Sequence, residues 1–245
     1  MRRLLLLLVA FFFSASVAWA VAGPSSSKSY DGTNDEVDWG NINDVTTNDV
    51  SWCMWASMNE TATQDVLLAK KGTFINTSAG YALRQSSTDV QSCEVSDATT
   101  QQVAAGTTDT DGAWYFTCCV WDSTADDLIV YVNGVNEGSD TADTIGSLTN
   151  TSNLQNGEFD DNTGDANGLA AYASIFLSYK LTAVDMAELY WKPEGIATSI
   201  SFVASILATG TEKDWVGNVS ATVSGTVTPS TNGAPPVLFG LGLPL

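Results

Sequence analysis

The sequence predicts an all-β protein, a sandwich of two antiparallel sheets with one short helix. Short apolar or aromatic runs alternate along most of the chain with clusters of serine, threonine, asparagine, aspartate and glycine. Runs of this length between turn-forming residues are typical of strands, and the periodicity of long amphipathic helices is nearly absent. A chain of 245 residues is long enough to bury a sizeable core in one large β domain.

The predicted strands share β-branched, aromatic and other apolar residues. They are Glu36–Trp39, Val50–Met58, Val66–Lys70, Gly80–Gln85, Val90–Val95, Gln101–Ala104, Ala113–Asp122, Leu128–Val132, Leu154–Phe159 and Leu169–Leu177. Turn-forming stretches such as KKGTF, STADD and NGVNEG separate them.

One short helix is predicted in the stretch LTAVDMAELYW, near residues 182–190. Thr182 stands at the N-cap, Asp185 occupies the capping-box position three residues later, and Pro193 lies beyond the end. We expect one apolar face of this helix to lie against the sandwich, formed by Ala183, Met186, Leu189 and Tyr190.

The two ends of the chain differ in composition from its middle. Residues 1–22 are typical of an export signal, with two arginines, an apolar run and a small-residue cleavage site; the run is short for a retained membrane anchor. The predicted β-sandwich spans 23–192. Residues 193–245 form a C-terminal extension, which we expect to add strands to the sandwich and to end in the apolar tail GAPPVLFGLGLPL.

The chain is strongly acidic. Its formal net charge is −19, and loss of Arg2 and Arg3 with the signal lowers the charge by two more units. An acidic surface repels phosphate backbones and anionic lipids, so nucleic acids and membrane surfaces are excluded as expected partners. The remaining interpretations are a solvated coat that keeps an exported protein soluble, or carboxylates that collect calcium.

The chain contains no histidine. This absence excludes Ser-His and Cys-His nucleophile pairs, a histidine general base and zinc sites that need histidine.

Four cysteines, Cys53, Cys93, Cys118 and Cys119, favour disulfides over metal ligation in an exported chain. Adjacent Cys118 and Cys119 point to opposite faces of a strand and are not expected to bond each other. We expect one of them to pair with Cys53 or Cys93, while the other either pairs too or stays a small buried residue.

Five segments between residues 29 and 191 resemble, in order, the laminin-G-like branch of the concanavalin A-like superfamily. YDGTNDEVDWG resembles the opening F-D-G-x-x-D-x-V element, DVSWCMWASM a strand with a core tryptophan, and LLAKKGTFINTSAGYALR a hairpin. GAWYFTCCVWDSTADDLIVYVNGVNEGS resembles the W…Y-v-d-G element, and GLAAYASIFLSYKLTAVDMAELY the closing strand and helix.

This resemblance implies a jelly-roll fold and leaves the function open. Members bind glycans, proteins or lipoprotein surfaces, act as spacers, or build viral and cellular assemblies, and fold alone does not decide the site. The later segment from Asp214 to Val237 resembles an element that often stands at the start of such domains. We therefore expect this segment to return beside the first strand.

Glycoside hydrolysis is the enzyme class that the fold allows, and it needs two carboxylates that flank a sugar bond. EVDWGN offers Glu36 and Asp38, and EFDDNTG offers Glu158 and Asp160, but each lacks the third acid of the usual hydrolase motif. The sequence therefore predicts no catalytic residues and no enzyme.

Calcium is the one cofactor that the sequence suggests. The loop DDNTGDANG gathers Asp160, Asp161, Asn162 and Asp165, hard oxygen ligands at short spacing but not in the EF-hand pattern. A second candidate, YDGTND, fits equally well as a turn with Asx hydrogen bonds.

Surface features are also predicted. Trp55, Trp114 and Trp121 match core positions, whereas one or two further tryptophans could form sugar-stacking platforms, drawn from Trp39, Trp52, Trp191 and Trp215. Candidate N-glycosylation sequons begin at Asn59, Asn76, Asn150 and Asn218.

The leading function predicted is a secreted, non-enzymatic module at the cell surface or outside the cell that binds a glycan or a cell-surface polymer. The alternative is a structural subunit of an extracellular filament, coat or virion surface that self-associates through the apolar C-terminal tail. A glycoside hydrolase is the third.

Overall fold

A computed structural model of the chain describes residues 20–21, 27–59, 64–74, 76–191, 202–204, 221–225, 227–230 and 237–238. The predictions for the signal peptide before Ala20, for Trp215 and for the sequon at Asn218 fall outside these ranges.

The described residues form seventeen strands and one helix. In chain order they are β1 (Ala20–Val21), β2 (Ser27–Asp31), β3 (Glu36–Asp38), β4 (Val50–Met58), β5 (Asp65–Lys71), β6 (Ala79–Gln85), β7 (Val90–Asp97), β8 (Gln101–Thr108), β9 (Tyr115–Asp122), β10 (Asp127–Val132), β11 (Val135–Asp140), β12 (Gln155–Gly157), β13 (Asn167–Leu177), α1 (Ala183–Trp191), β14 (Phe202–Ala204), β15 (Thr222–Ser224), β16 (Thr228–Ser230) and β17 (Val237–Leu238).

Two antiparallel sheets pack face to face, which confirms the predicted sandwich. The helix-side sheet has the order β11-β10-β9-β4-β13-β2-β16, with β14 also paired to β13. The opposite sheet has the order β15-β3-β12-β5-β6-β7-β8. Apolar side chains from the inner faces of both sheets form the main core, which includes Trp52, Trp121 and Tyr81.

The helix covers the outer face of the helix-side sheet, as predicted. Met186 and Leu189 are buried, and Tyr190 stacks on Trp55 with 5.5 Å between the ring centroids. Ala183, expected on the same face, is instead exposed. The predicted cap is present, because Asp185 N donates to Thr182 Oγ1 and Thr182 N donates to Asp185 Oδ2.

Strand β9 has apolar residues on both faces, as its sequence indicates. Phe116, Cys118 and Val120 lie in the outer cluster beneath the helix, and Cys119 and Trp121 lie in the core between the sheets. The core between the sheets covers one face of the strand and the cluster beneath the helix covers the other, so neither face is open to solvent.

Both adjacent cysteines form disulfides. Cys118 pairs with Cys53 on the neighbouring strand β4 of the same sheet, and Cys119 pairs with Cys93 on β7 of the opposite sheet. The alternation of a strand makes this necessary, because consecutive side chains leave on opposite faces and reach different partners. No free cysteine remains among the described residues.

The structure corrects parts of the sequence prediction. Strands β2 and β11 were not foreseen; β11 follows a two-residue turn in which Asn133 and Gly134 both have positive φ, 52° and 81°. Trp39 and Trp52 are buried, 2% and 0% exposed, so neither is a sugar-stacking platform. Both indole rings lie in the core between the sheets.

The C-terminal extension contributes edge strands to both sheets. β16 pairs with β2, β15 pairs with β3, and β14 pairs with β13. The strand of the apolar tail, β17, pairs with β1 of the same chain. Among the described residues, no helix has the length and apolar character that would let it cross a membrane.

The outer face of the opposite sheet is covered near its centre. Phe159 packs on the outward side chains of β5 and β6, and its ring lies 6.5 Å from that of Phe74. On the strands of the same sheet, Lys71 and Glu94 form an ion pair with no exposed side-chain surface, and Arg84 Nε lies 3.0 Å from Glu94 Oε2. This face therefore offers no open sheet surface at its centre to a ligand.

Candidate functional site

A shallow groove of about 520 Å³ with polar walls lies at one end of the helix-side sheet. Three adjacent strands, β2, β4 and β13, build its floor and walls, and we call it the β2–β4–β13 groove. Its lining residues are Ser29, Tyr30, Asp31, Ser57, Asn59, Gly112, Asn167, Gly168 and Leu169.

The register of the three strands brings these residues together. Leu169 of β13 lies opposite Ser57 of β4 on one side and Ser29 of β2 on the other. At the next position, Gly168 has φ of +153°, and a Cβ there would lie 2.4 Å from the Ser57 carbonyl oxygen. Only glycine lets the strands pass this closely, so Gly168 forms part of the groove floor.

Hydrogen bonds fix the open end of the groove. Asn59 N donates to the Asn167 carbonyl at 2.9 Å, and Asn59 Nδ2 donates to Asn167 Oδ1 at 3.2 Å. Gly112 N donates to the Met58 carbonyl at 2.9 Å, which places the 109–113 turn over the end of β4. The groove residues thus occupy positions set by the backbone of neighbouring strands.

The lining can both donate and accept hydrogen bonds. The Ser29 and Ser57 hydroxyls and the Asn59 and Asn167 amides do both, whereas Asp31 only accepts. Leu169 adds a half-buried apolar surface. This mixture suits a ligand with many hydroxyl groups and short apolar faces.

A smaller polar depression of about 320 Å³ is formed by six loop residues. They are Thr47, Asn48, Asp49, Ser123, Thr124 and Ser178. Asp49 Oδ1 accepts from both Ser123 N and Ser123 Oγ, so its carboxylate already holds its neighbour. Contacts between loops of the chain itself form this depression.

A second polar group, which we call the carboxylate cluster, consists of Glu36, Gln155, Glu158 and Asp165. Glu158 follows β12 and is 2% exposed, and it lies within hydrogen-bonding reach of both Glu36 and Asp165. Gln155 Nε2 donates to Glu36 Oε2, and Asp165 Oδ1 accepts from the backbone N of Asn34 at 2.9 Å.

The electrostatics of this cluster are unfavourable to a charged Glu158. Burial first, then the negative charge of Glu36 and the contacts with Asp165, raise the pKa of Glu158 to about 8. No cationic side chain is among the groups that act on Glu158.

The side chains of the loop predicted to bind calcium do not surround a common point. Asp160, Asp161 and Asn162 are exposed, and Asp161 Oδ1 accepts from Thr163 Oγ1 at 2.5 Å. Of the four, Asp165 is the residue that faces Glu158. In the part of the chain that the structure describes, no three acidic or sulfur side chains stand in the arrangement of a formed metal site.

The two suspected hydrolase motifs contribute to one place, yet they do not form a glycosidase pair. Glu36 and Glu158 come from different motifs and are in contact, whereas a retaining pair needs about 5 Å between carboxyl groups and an inverting pair needs more. Asp38 accepts from Gly40 N and from Asn153 Nδ2, and Asp160 is exposed. No sugar fits between Glu36 and Glu158.

The sequons within the described ranges differ in environment. Asn59 and Asn76 are exposed, and Asn59 stands at the rim of the groove. Asn150 Nδ2 donates to the carbonyls of Lys70 and Leu148, both at 3.1 Å, so a glycan on this nitrogen would replace at least one of these bonds. Modification at any of them stays a prediction.

The sequence did not reveal the groove residues on β2, β4 and β13. Ser29, Ser57 and Asn167 are ordinary polar residues along the chain, and only the pairing of β13 with two strands makes them neighbours. The one local indication of the groove was DANG, in which Asn167 and Gly168 begin the otherwise largely apolar strand β13.

Comparison with known proteins identifies the fold family. A family model described as the concanavalin A-like lectin/glucanases superfamily matches residues 31–182, more than half of the chain. No curated protein sequence matches the chain significantly.

Solved structures with the same fold have very different sequences. A heptameric SAP-like pentraxin from Limulus polyphemus is 12% identical with a TM-score of 0.61, and the match covers 86% of this chain and 96% of the pentraxin. A Bacteroides ovatus protein to which carbohydrate binding is attributed is 13% identical, with a TM-score of 0.61 and coverage of 86% and 62%. The CBM40 module of Ruminococcus gnavus IT-sialidase, bound to α2,6 sialyllactose, is 10% identical, with a TM-score of 0.50 and coverage of 69% and 100%. Likeness at these identities establishes the fold.

Proposed function

The chain belongs to the concanavalin A-like lectin/glucanase superfamily, and from this premise we propose that it is a non-enzymatic module that binds neutral glycans in the β2–β4–β13 groove. The observation that carries the proposal is the groove lining, in which three adjacent strands present hydroxyl, amide and carboxylate groups around one concavity of about 520 Å³. The fold is shared with proteins described as carbohydrate binding, which supports the class of ligand.

The chemistry of the lining matches that of a sugar ring. Each sugar hydroxyl both donates and accepts a hydrogen bond, and so do the Asn167 and Asn59 amides and the Ser57 hydroxyl. The apolar C–H face of a sugar can pack on Leu169, which is half-buried in the groove wall. Pre-positioned polar groups of this kind fix the orientation of a ligand.

The negative charge of the groove and of the chain favours neutral sugars as ligands. Asp31 is exposed at the groove, and the chain carries a formal net charge of −19. A sialic acid carboxylate or a sulfate in the groove would face a carboxylate, and like charges at close range oppose binding. We therefore expect neutral hexoses and their oligomers to bind in preference to sialylated or sulfated ones.

The acids that the fold brings together support a non-catalytic role. Glu158 is 2% exposed, so it cannot reach a glycosidic oxygen in the groove, and its partner Glu36 lies in contact with it.

The two disulfides fit an oxidising compartment, which supports export and an extracellular location. Self-assembly through the C-terminal tail has no comparable support, because the one tail strand described pairs within the chain.

The test is a glycan array followed by calorimetric titration of the sugars that bind. Asn167→Ala removes an amide from the groove and is expected to weaken binding at least tenfold, about the loss of one or two hydrogen bonds. Asp31→Asn should keep binding of neutral sugars and raise the signal from acidic ones.

Asn48→Ala is the matched control, since it makes the same change in the other polar depression, where Asn48 Nδ2 donates to Ser178 Oγ. Its affinity should equal that of the unsubstituted chain. If the chain binds no neutral glycan, or if Asn167→Ala and Asn48→Ala lose equal affinity, the groove is not the binding site.

A further inference from the structure

Asn59 both lines the β2–β4–β13 groove and begins a sequon for N-glycosylation, which Thr61 completes. Its side chain is exposed, as the acceptor of a glycan has to be. Asn59 Nδ2, the atom that an N-linked sugar is bonded to, lies 3.2 Å from Oδ1 of Asn167, a second lining residue. A sugar on this nitrogen is therefore attached at the groove lining itself.

Hydrogen bonds fix the position of this nitrogen at the groove. Asn59 N donates to the Asn167 carbonyl at 2.9 Å and Asn59 Nδ2 donates to Asn167 Oδ1, so one residue of β13 holds both the backbone and the side chain. The direction in which a glycan leaves Asn59 is thus set by the edge of the groove.

The hydrogen bonds of Asn59 also leave room for the modification. Among the described residues, one acceptor takes a hydrogen from Nδ2 of Asn59, whereas Nδ2 of Asn150 donates to two carbonyls. Attachment of a sugar replaces one of the two amide hydrogens. Asn59 can therefore carry a sugar and keep its bond to Asn167, whereas Asn150 would lose one of its two bonds.

We propose that the groove holds the chain's own N-glycan: the first N-acetylglucosamine, attached to Asn59, lies in the β2–β4–β13 groove and competes with free glycans. This inference rests on the proposed function and adds regulation by glycosylation to it. In the modification, Asn59 Nδ2 bonds to the anomeric carbon of the sugar and gives up one proton. The bond from that carbon to the diphosphate of a polyprenyl-linked donor breaks, and the diphosphate leaves.

The chemistry of the attached sugar fits the groove. N-acetylglucosamine is neutral, so it meets no like-charge repulsion from Asp31. Its hydroxyl groups both donate and accept hydrogen bonds, as do the Ser57 hydroxyl and the Asn167 amide of the lining.

Covalent attachment gives this sugar an advantage over free glycans. A ligand on a short tether reaches an effective concentration on the order of millimolar at its site without any new contact. A free glycan has to displace this tethered competitor, so the glycosylated chain binds free glycans more weakly than the chain without the Asn59 glycan does.

The test compares the full chain with Thr61→Ala, both secreted from eukaryotic cells. This variant lacks the sequon but keeps Asn59 in the groove. Peptide mass spectrometry measures the occupancy of Asn59, and calorimetry measures binding of N,N′-diacetylchitobiose, the disaccharide with which an N-glycan begins. We expect Asn59 to carry a glycan in the unsubstituted chain, and Thr61→Ala to bind the disaccharide at least roughly tenfold more tightly.

Asn76→Gln is the matched control, because it removes an exposed sequon in the turn before β6 of the opposite sheet. It should bind the disaccharide as weakly as the glycosylated unsubstituted chain does. An unmodified Asn59, or equal affinities of the unsubstituted chain and Thr61→Ala, overturns the inference.

Absence of disaccharide binding to Thr61→Ala also overturns the inference, and a glycan array with this variant then judges the proposed function separately. Binding of other neutral glycans to Thr61→Ala leaves the proposed function standing, whereas binding of none contradicts the proposed function as well.

Discussion

Single residues in this sandwich are often polar and buried, and each such residue is held by specific neighbours. Lys70 Nζ lies among Asn41 Oδ1, Asn150 Oδ1 and the Ser152 carbonyl, at 2.8, 3.1 and 2.5 Å. Lys71 is enclosed with Glu94, and burial lowers the pKa of Lys71 while that carboxylate raises it. Removal of one partner from such a pair leaves a buried charge without an ion-pair partner. We therefore expect substitutions at these positions to destabilise the fold.

Asp109 gives a prediction about pH. Burial, followed by an opposing contact with Gln91 and the negative charge of Asp89, raises the pKa of Asp109 to about 7 from 3.8. The folded state then holds this proton more tightly than the unfolded state does, so the stabilisation from Asp109 is complete below about pH 4 and is lost as the pH rises to about 7.

Asp109→Asn, which is always neutral, should therefore be more stable than the unsubstituted chain at pH 8 and equal to it near pH 4. Urea unfolding at both pH values measures this difference, and Asp111→Asn, at an exposed position two residues away, is the control. An Asp109→Asn variant with the same pH dependence as the unsubstituted chain would contradict the assignment.

Among the elements, the helix is the one whose ends and orientation follow most directly from its sequence. The prediction placed it near residues 182–190, and it spans Ala183–Trp191 with Thr182 as its cap. Local hydrogen bonds decide the start of a helix, which is why the capping pattern could be recognised without tertiary information.

Thr182→Ala should destabilise the chain by about 1 kcal/mol, because the backbone N–H of Asp185 loses its acceptor. Equilibrium urea unfolding, monitored by tryptophan fluorescence, gives the change in the free energy of unfolding. Thr141→Ala makes the same substitution in an exposed segment and should change that free energy by less than about 0.5 kcal/mol. Equal effects of the two changes would show that the cap does not stabilise the helix.

The polar strands were harder to predict from the sequence than the helix was. β11 has the sequence VNEGSD and lies at the edge of its sheet, so one face of it never meets the core and no apolar alternation marks it. β2, with SKSYD, is found only because β13 and β16 pair with it. Hydrophobic periodicity reports burial, and strands that bury little apolar surface do not show it.

The whole molecule is held together by two sheets and two different disulfides. Cys53–Cys118 joins neighbouring strands and closes a chain segment of 65 residues, whereas Cys93–Cys119 joins the two sheets across a separation of 26. Both act mainly by restricting the unfolded chain, and the restriction grows with the length of the closed segment.

Replacement of either pair by alanines should lower the free energy of unfolding by about 2–5 kcal/mol, with the larger loss for Cys53 and Cys118. Urea unfolding of the two double variants measures both losses. Intact mass after thiol alkylation checks the pairing: no cysteine should react before reduction, and all four should react after it. Reaction of any cysteine in the unreduced folded chain would contradict the paired state.

The sequence by itself determined the sandwich, the helix with its cap, the two faces of β9 and the absence of histidine chemistry. These features depend on local alternation, local hydrogen bonds and composition, all of which can be counted along the chain. The partners of Cys118 and Cys119 were narrowed by the same alternation, but not fixed.

Only the tertiary structure decided the functional geometry. Strand pairing placed Asn167 beside Ser57 and Ser29 to make the groove, and it brought Glu36 from one acidic motif against Glu158 from another, more than a hundred residues away. Contacts between strands that are distant in sequence leave no periodic trace in either segment. For this reason both sites could be assembled only after the register of the two sheets was known.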